Sequence, residues 1–166
     1  LDSLVDQAKT ASGKSKVDLV THSMGGLIAR NYITDSGKAS KVNKLVELGA
    51  PHLGIPDSLK TLIYGVALKS KVFGLFPVGI PASEIYDVYQ NLTSGFQLIP
   101  SKKYYDFYSP TIDKSLPYPF WDDRDVDSNS VTGYLNYNQT KTLLSNLKHN
   151  TTTFNLAESL HNTLDS

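Results

Sequence analysis

The sequence predicts an α/β fold, and three observations carry that prediction. Residues 1–50 alternate helix, strand, helix, strand in their apolar periodicity, the order of a parallel-sheet unit. A serine stands at the first strand-to-helix junction, with two glycines just after it, in "KVDLVTHSMGGLIARNYI" (16–33). Beyond residue 54 the texture changes to an aromatic-rich, mostly helical stretch punctuated by Gly and Pro. Nine of the ten tyrosines, the phenylalanines and Trp121 lie there.

Each element has its own signal. Leu1, Leu4, Val5 and Ala8 share one helical face over 1–12, and Gly13 stops that helix. "KVDLVTH" (16–22) reads as a short, largely buried strand. Met24, Leu27, Ile28 and Asn31–Tyr32 recur at helical spacing to about Asp35, with Gly37 as the closing residue. "KVNKLVELGAP" (41–51) is a second strand run, ended by Gly49 and Pro51. "SLKTLIYGVALKSKVFGLF" (58–76) predicts an amphipathic helix ending near Gly74 and Pro77. Helical patterns return at Leu143, Leu144 and Leu147, then at Phe154, Ala157, Leu160 and Leu164. The expected division is a sheet-bearing core segment over 1–54, then an insertion with returning helices over 55–166.

Composition narrows the function classes. With 166 residues, 16 basic and 16 acidic side chains, the chain has one domain's worth of core and a formal charge of zero. That removes electrostatic grounds for a nucleic-acid partner. No apolar run approaches the ~18 residues of a membrane-spanning helix. With no cysteine there are no disulfides or thiolate metal sites, and either redox compartment fits.

Ser23 carries the chemistry. A serine hydroxyl is a poor nucleophile, so an enzyme must expose it, deprotonate it and stabilise the oxyanion that follows. A sharp strand–turn–helix elbow handles the exposure, holding the serine in a strained backbone conformation. Such a turn brings the residues two before and two after the serine together, and both are normally glycine. Here they are Thr21 and Gly25, so the first position departs from G-x-S-x-G. Gly26 lets the new helix pack closely on the sheet. The backbone N–H of Met24, at the helix N-terminus, is the expected oxyanion donor, helped by the helix dipole.

"VDLVTHSMGGLIARNYI" followed by "VNKLVELGAPHLG" resembles the core of α/β-hydrolase lipases of the lecithin:cholesterol acyltransferase-like group. In that group a strand after the nucleophile helix ends in a Gly-(Thr/Ala)-Pro-His-x-Gly loop. "SGFQLIPSKKYYD" (94–106) is similar to the group's Leu-Leu-Pro-Ser cap segment. The resemblance implies a partial α/β-hydrolase core with a large cap insertion over 55–166. It also implies a serine esterase, lipase or acyltransferase working through an acyl-enzyme on Ser23, with no organic cofactor and no metal. The implied partners are a lipid or other ester substrate and a transient lipid surface. No compartment is assigned; an extracellular or lipid-associated one is compatible with such a substrate.

The base and acid are harder to find. In this fold they follow the serine in the order acid, then histidine. His22 fails as a base because neighbours at a strand end point to opposite faces, and it is expected to pack beneath the elbow. His52, in the loop after the second strand, has only Asp35 and Glu47 between it and Ser23. Both acids read as badly placed, so His22 and His52 are assigned to substrate binding rather than to base chemistry. His149 and His161 have the correct order, with Asp106, Asp113 or Asp122–Asp127 as acids, but both lie in or beside helical patterns. The resemblance implies an acid in a Gly-Asp-Gly-Thr stretch after further strands, and no such stretch occurs here. The expectation is a central segment of a larger hydrolase, whose remainder supplies the acid and base.

Two other motifs are weaker. Asp123, Asp125, Asp127 and Asn129 match alternate ligand positions of a calcium loop, but Ser128 and Tyr134 stand where its glycine and glutamate belong. A solvated acidic loop is the reading adopted. The sequons at Asn91, Asn138 and Asn150 matter only in a eukaryotic secretory protein. The rival to an esterase is a non-catalytic α/β module that keeps the elbow as scaffold and binds an apolar ligand or partner through its aromatic insertion.

Overall fold

The computed structural model of the chain describes residues 1–65, 68–72, 76–107, 120–122, 128 and 133–165, the segments 68–72, 76–78 and 120–122 as backbone only. Two compact units result: Leu1–His52 with Leu160–Ser166, and Leu53–Ser159. The fold class is α/β, with many helices and a small parallel sheet.

The first unit is built as its periodicity predicts. Helix α1 (Asp2–Ser12) ends at Gly13 in the left-handed conformation. Strand β1 (Val17–His22) leads through Ser23 into α2 (Met24–Ile33). A one-turn helix α3 (Ser36–Ala39) follows, and the Asp35 carboxylate caps it by accepting from Lys38 N–H. Gly37 therefore lies inside a helix rather than ending one. Strand β2 (Val42–Leu48) pairs parallel with β1, placing Thr21 beside Glu47 and His22 beside Leu48.

Burial corrects two expectations. Strand β1 is not largely buried: Val17, Leu19 and Thr21 are partly covered, whereas Asp18, Val20 and His22 face out. Val20 is 69% exposed and its neighbour Val46 45%. Two strands offer two faces, and in this unit helices cover one. On α1 the buried residue is Val5, while Leu1 and Leu4 are exposed. The inward stripe also takes in Asp2, because that carboxylate has partners. Lys41 Nζ donates to Asp2 at 2.8 Å and to Asp6 at 2.8 Å, and Tyr32 Oη donates to Asp2 at 2.6 Å. Those donors, Lys41 first, hold the Asp2 carboxyl below its usual range. Desolvation and the Asp2 bond push the Tyr32 phenol up to about 12. In the same last turn of α2, the Arg30 guanidinium donates to the Leu164 carbonyl at 2.6 Å.

The second unit is mostly helical. Helix α4 (Pro56–Tyr64) starts on a proline, whose missing N–H costs nothing there. It stops at Gly65 (φ 64°), where a Cβ would collide with the Ala82 carbonyl. This overturns the helix predicted over 58–76. Its apolar spacing is genuine through Leu59, Leu62 and Ile63. Beyond it the chain makes an antiparallel pair, β3 (Leu68–Val72) with β4 (Phe76–Ile80). Helices α5 (Ala82–Tyr89), α6 (Thr93–Gln97) and α7 (Lys102–Phe107) follow. Short strands β5 (Phe120–Asp122) and β6 (Gly133–Leu135) pair antiparallel. Helix α8 (Tyr137–Asn146) opens on a capping box between Asn136 and Gln139, and α9 (Thr151–Asp165) closes the chain. Leu59, Leu62, Phe96, Leu135, Leu143, Leu144 and Phe154 form the core of this unit.

No helix among the described residues is long and apolar enough to cross a membrane. Of the acidic segment 123–129, only Ser128 is described, so the calcium motif lies outside the described residues.

Candidate active site

The site begins with a backbone angle. Ser23 has φ 53° and ψ −129°, one of the few positive-φ positions held by a residue other than glycine among the described residues. For a side chain with a Cβ that conformation costs on the order of 1–3 kcal/mol, so surrounding contacts must over-determine it. They are visible. Ser23 N–H donates to the Leu48 carbonyl of β2 at 2.9 Å, and Gly26 N–H donates to the Ser23 carbonyl at 2.9 Å. The chain leaves the sheet and enters α2 with Ser23 alone between them, the sharp strand-to-helix turn expected from the sequence.

Thr21 and Gly25 meet as that turn requires. A Cβ built on Gly25 would sit 3.6 Å from Thr21 Cβ, an ordinary contact. The tight position is Gly26, where a Cβ would collide with Ala50 Cβ and come within 3.0 Å of Glu47 Oε1. The close approach at the second glycine is thus chiefly to the post-strand loop, whereas the sequence predicts packing on the sheet.

Ser23 is partly exposed, and its hydroxyl makes no capping bond to α2. Met24 is the first residue of α2, so its N–H lies among the helix N–H groups that have no intrahelical partner. An oxygen developing negative charge there would meet a donor and the positive end of a ten-residue helix.

The histidines fall in four different settings. His22 is exposed on the open sheet face beside Leu48, which overturns the expectation that it packs under the elbow. His52 Nε2 lies 3.1 Å from Glu47 Oε2. A carboxylate only accepts, so Nε2 carries the proton and donates. His149 is 4% exposed, with neither ring nitrogen hydrogen-bonded among the described residues. Its ring meets Tyr86 and Phe96 edge-on at centroid distances of 5.8 and 6.2 Å, and burial lowers its pKa. No described acid partners it, so no triad is assembled through it. His161 is buried within α9. Asp106 is exposed and paired with Lys102 at 2.6 Å, while Asp113 lies outside the described residues. Among the described residues no imidazole is hydrogen-bonded to Ser23.

Glu47 is the residue that sequence reasoning misses. An acid inside a strand reads as badly placed, yet its side chain meets both His52 and Gly26. Strand alternation is the available signal: Glu47 shares the covered face with Leu45, and Gly49 (φ 58°) turns the chain back toward it.

Residues 2–69 match the family described as PGAP1-like alpha/beta domain. The match covers less than half of the chain and takes in both parallel strands and the elbow. It supports an α/β-hydrolase-like family and, loosely, esterase- or lipase-type activity. No curated protein and no solved structure matches the chain.

Proposed function

We propose that this protein is a serine hydrolase cleaving carboxylic esters, with Ser23 as nucleophile and the Met24 N–H as an oxyanion donor. The observation that supports this most is the backbone of Ser23, φ 53° and ψ −129° between a parallel strand and a helix N-terminus. Strain of this kind clusters at active sites. Ser23 Oγ attacks the ester carbonyl, the alcohol leaves with a proton, and water or another acceptor alcohol releases the acyl group. The substrate class proposed is a lipid ester, as in lecithin:cholesterol acyltransferase-like lipases, with the aromatic-rich segment over 55–130 as its apolar cap. A transient lipid-surface contact belongs to the same proposal, as do secondary substrate contacts from His22 and His52. Base and acid are assigned to the remainder of a longer hydrolase chain. The 166-residue chain alone should therefore hydrolyse p-nitrophenyl esters slowly.

A serine-directed fluorophosphonate tests the reading. Stoichiometric labelling of a longer chain that carries this segment, lost in Ser23→Ala, is the expected result. Labelling that survives Ser23→Ala, or none in a longer chain that folds, would leave the elbow as scaffold for a non-catalytic binding module.

A further inference from the structure

Glu47 and His52 are the one carboxylate–imidazole contact beside the elbow among the described residues. Their order along the chain, Ser23, Glu47, His52, is that of a triad, but the geometry is not. His52 Nε2 is engaged by Glu47, and Nδ1 is buried with no hydrogen-bond partner among the described residues. Neither ring nitrogen is hydrogen-bonded to Ser23 among the described residues.

What the pair does is hold a loop. Beyond Leu48 the chain leaves the β1–β2 ladder and turns through Gly49 (φ 58°). Ala50, the residue on which Gly26 rests, lies in that turn. Its carbonyl accepts from His52 N–H at 3.0 Å, and the His52 ring is tied back to β2 through Glu47. The other carboxylate oxygen, Oε1, is buried against Gly26 in the first turn of α2. There the negative charge faces the positive end of the helix. Contacts therefore run from His52 to Glu47 to Gly26, three residues beyond the strained serine. We propose that Glu47 and His52 are positioning residues, a clamp that seats residues 49–52 under α2 and so keeps Ser23 in its strained conformation. The catalytic consequence rests on Ser23 being the nucleophile; the structural one does not.

The test uses the 166-residue chain with Glu47→Leu, Glu47→Gln and His52→Phe, singly, and with Glu47→Leu/His52→Phe together. Amide hydrogen exchange at Ser23 and Gly26 is the primary readout, and the rate of fluorophosphonate labelling, read in a longer chain that carries the same substitutions, is the second. Glu47→Leu should speed exchange at Ser23 by about tenfold or more and slow labelling comparably, while Leu19 in the middle of β1 stays as protected as before. In Glu47→Gln the amide oxygen still accepts from Nε2–H, so both readouts should stay within about threefold of the parent. The double variant should be no worse than the worse single, because both remove one contact. Should Glu47→Leu fail to fold, His52→Phe carries the same comparison. Unchanged Ser23 exchange in the folded variants, a glutamine variant as impaired as the leucine one, or additive losses in the double variant would each overturn the clamp. A parent that exchanges as expected but never labels, even within a longer chain, would sink the nucleophile and leave the clamp to be judged on exchange alone.

Discussion

The two units divide chemistry and packing unequally. Leu53–Ser159 holds a continuous apolar cluster in which Leu62 and Phe96 are 0% exposed. Leu1–His52 with Leu160–Ser166 holds the elbow, yet one face of its sheet shows Val20, Val46 and Leu48 to solvent. The better-packed unit thus lacks the strained serine, and the strained serine sits on a half-covered sheet. Strain can be kept there because it is opposed locally, by the Leu48 carbonyl, Gly26 against Ala50 and the Glu47–His52 contact, rather than by a deep core. The difference separates two kinds of order: volume filling in one unit, and a few specific contacts in the other.

Truncation should expose that difference most strongly. Leu62→Ala or Phe96→Ala removes a fully buried side chain and should cost about 2–5 kcal/mol in urea unfolding. Val20→Ala, on the open sheet face, should stay within about 0.5 kcal/mol. Equal losses at Leu62 and Val20 would mean that the sheet face is covered in solution, and the contrast between units would disappear.

Within the elbow the contrast is between adjacent glycines. Gly26→Val forces a branched side chain into Ala50 and Glu47, a clash expected to cost about 1–3 kcal/mol or more. Gly25→Ala meets Thr21 at an ordinary distance and should be nearly silent in the same melts. The reverse ranking would move the close approach to the wrong residue and remove the seat on which the clamp acts.

What can be read in the sequence is local. The helix–strand–helix–strand order, the elbow at Ser23 and the packing role of Gly26 all follow from periodicity and small residues within about ten positions. What cannot be read depends on what lies opposite. Leu4 and Val20 are as apolar as Val5 and Leu19, and only the covering elements distinguish them. Likewise Leu59, Leu62 and Ile63 fix a helix, but nothing before Gly65 announces that the following residues pair with 76–80. Glu47 escapes notice because a strand acid suggests solvent, until the turn at Gly49 brings His52 onto it.

Acid should affect the second unit through His149. Its ring is buried among Tyr86 and Phe96 without a hydrogen-bond partner among the described residues, and burial holds its pKa below the ordinary imidazole range. Lys141 is the charged group lining the adjoining small cavity, and it is paired with Glu158 at 2.9 Å. In the unfolded chain the imidazole takes a proton below about pH 6.5, whereas the folded one resists until lower pH. Stability is therefore unaffected by this group above that pH and falls as pH drops from there toward the folded value. Urea midpoints of the parent and of His149→Phe, compared at about pH 7.5 and about pH 5.5, on either side of the unfolded pKa, measure it. The parent should lose more stability than the variant over that interval; parallel losses would assign the acid sensitivity to groups other than His149.

A small effect is expected where the sequence departs from the usual elbow. Thr21 occupies a position normally held by glycine, and its side chain costs little because Gly25 leaves room for it at 3.6 Å. What it contributes is also small: partial burial, and a long 3.4 Å bond from Oγ1 to the Val46 carbonyl. Thr21→Gly should keep the fold and lower stability by about 1 kcal/mol or less, mostly through backbone freedom gained by the unfolded chain. Ser23 should keep its strained angle, because the contacts that hold it come from β2 and the loop at 49–52 rather than from Thr21. The three-bond coupling between amide and α protons of Ser23, which reports φ, should therefore be the same in parent and variant. A changed coupling would mean that the threonine itself holds the serine, and the division of labour between strand and loop would have to be redrawn around position 21.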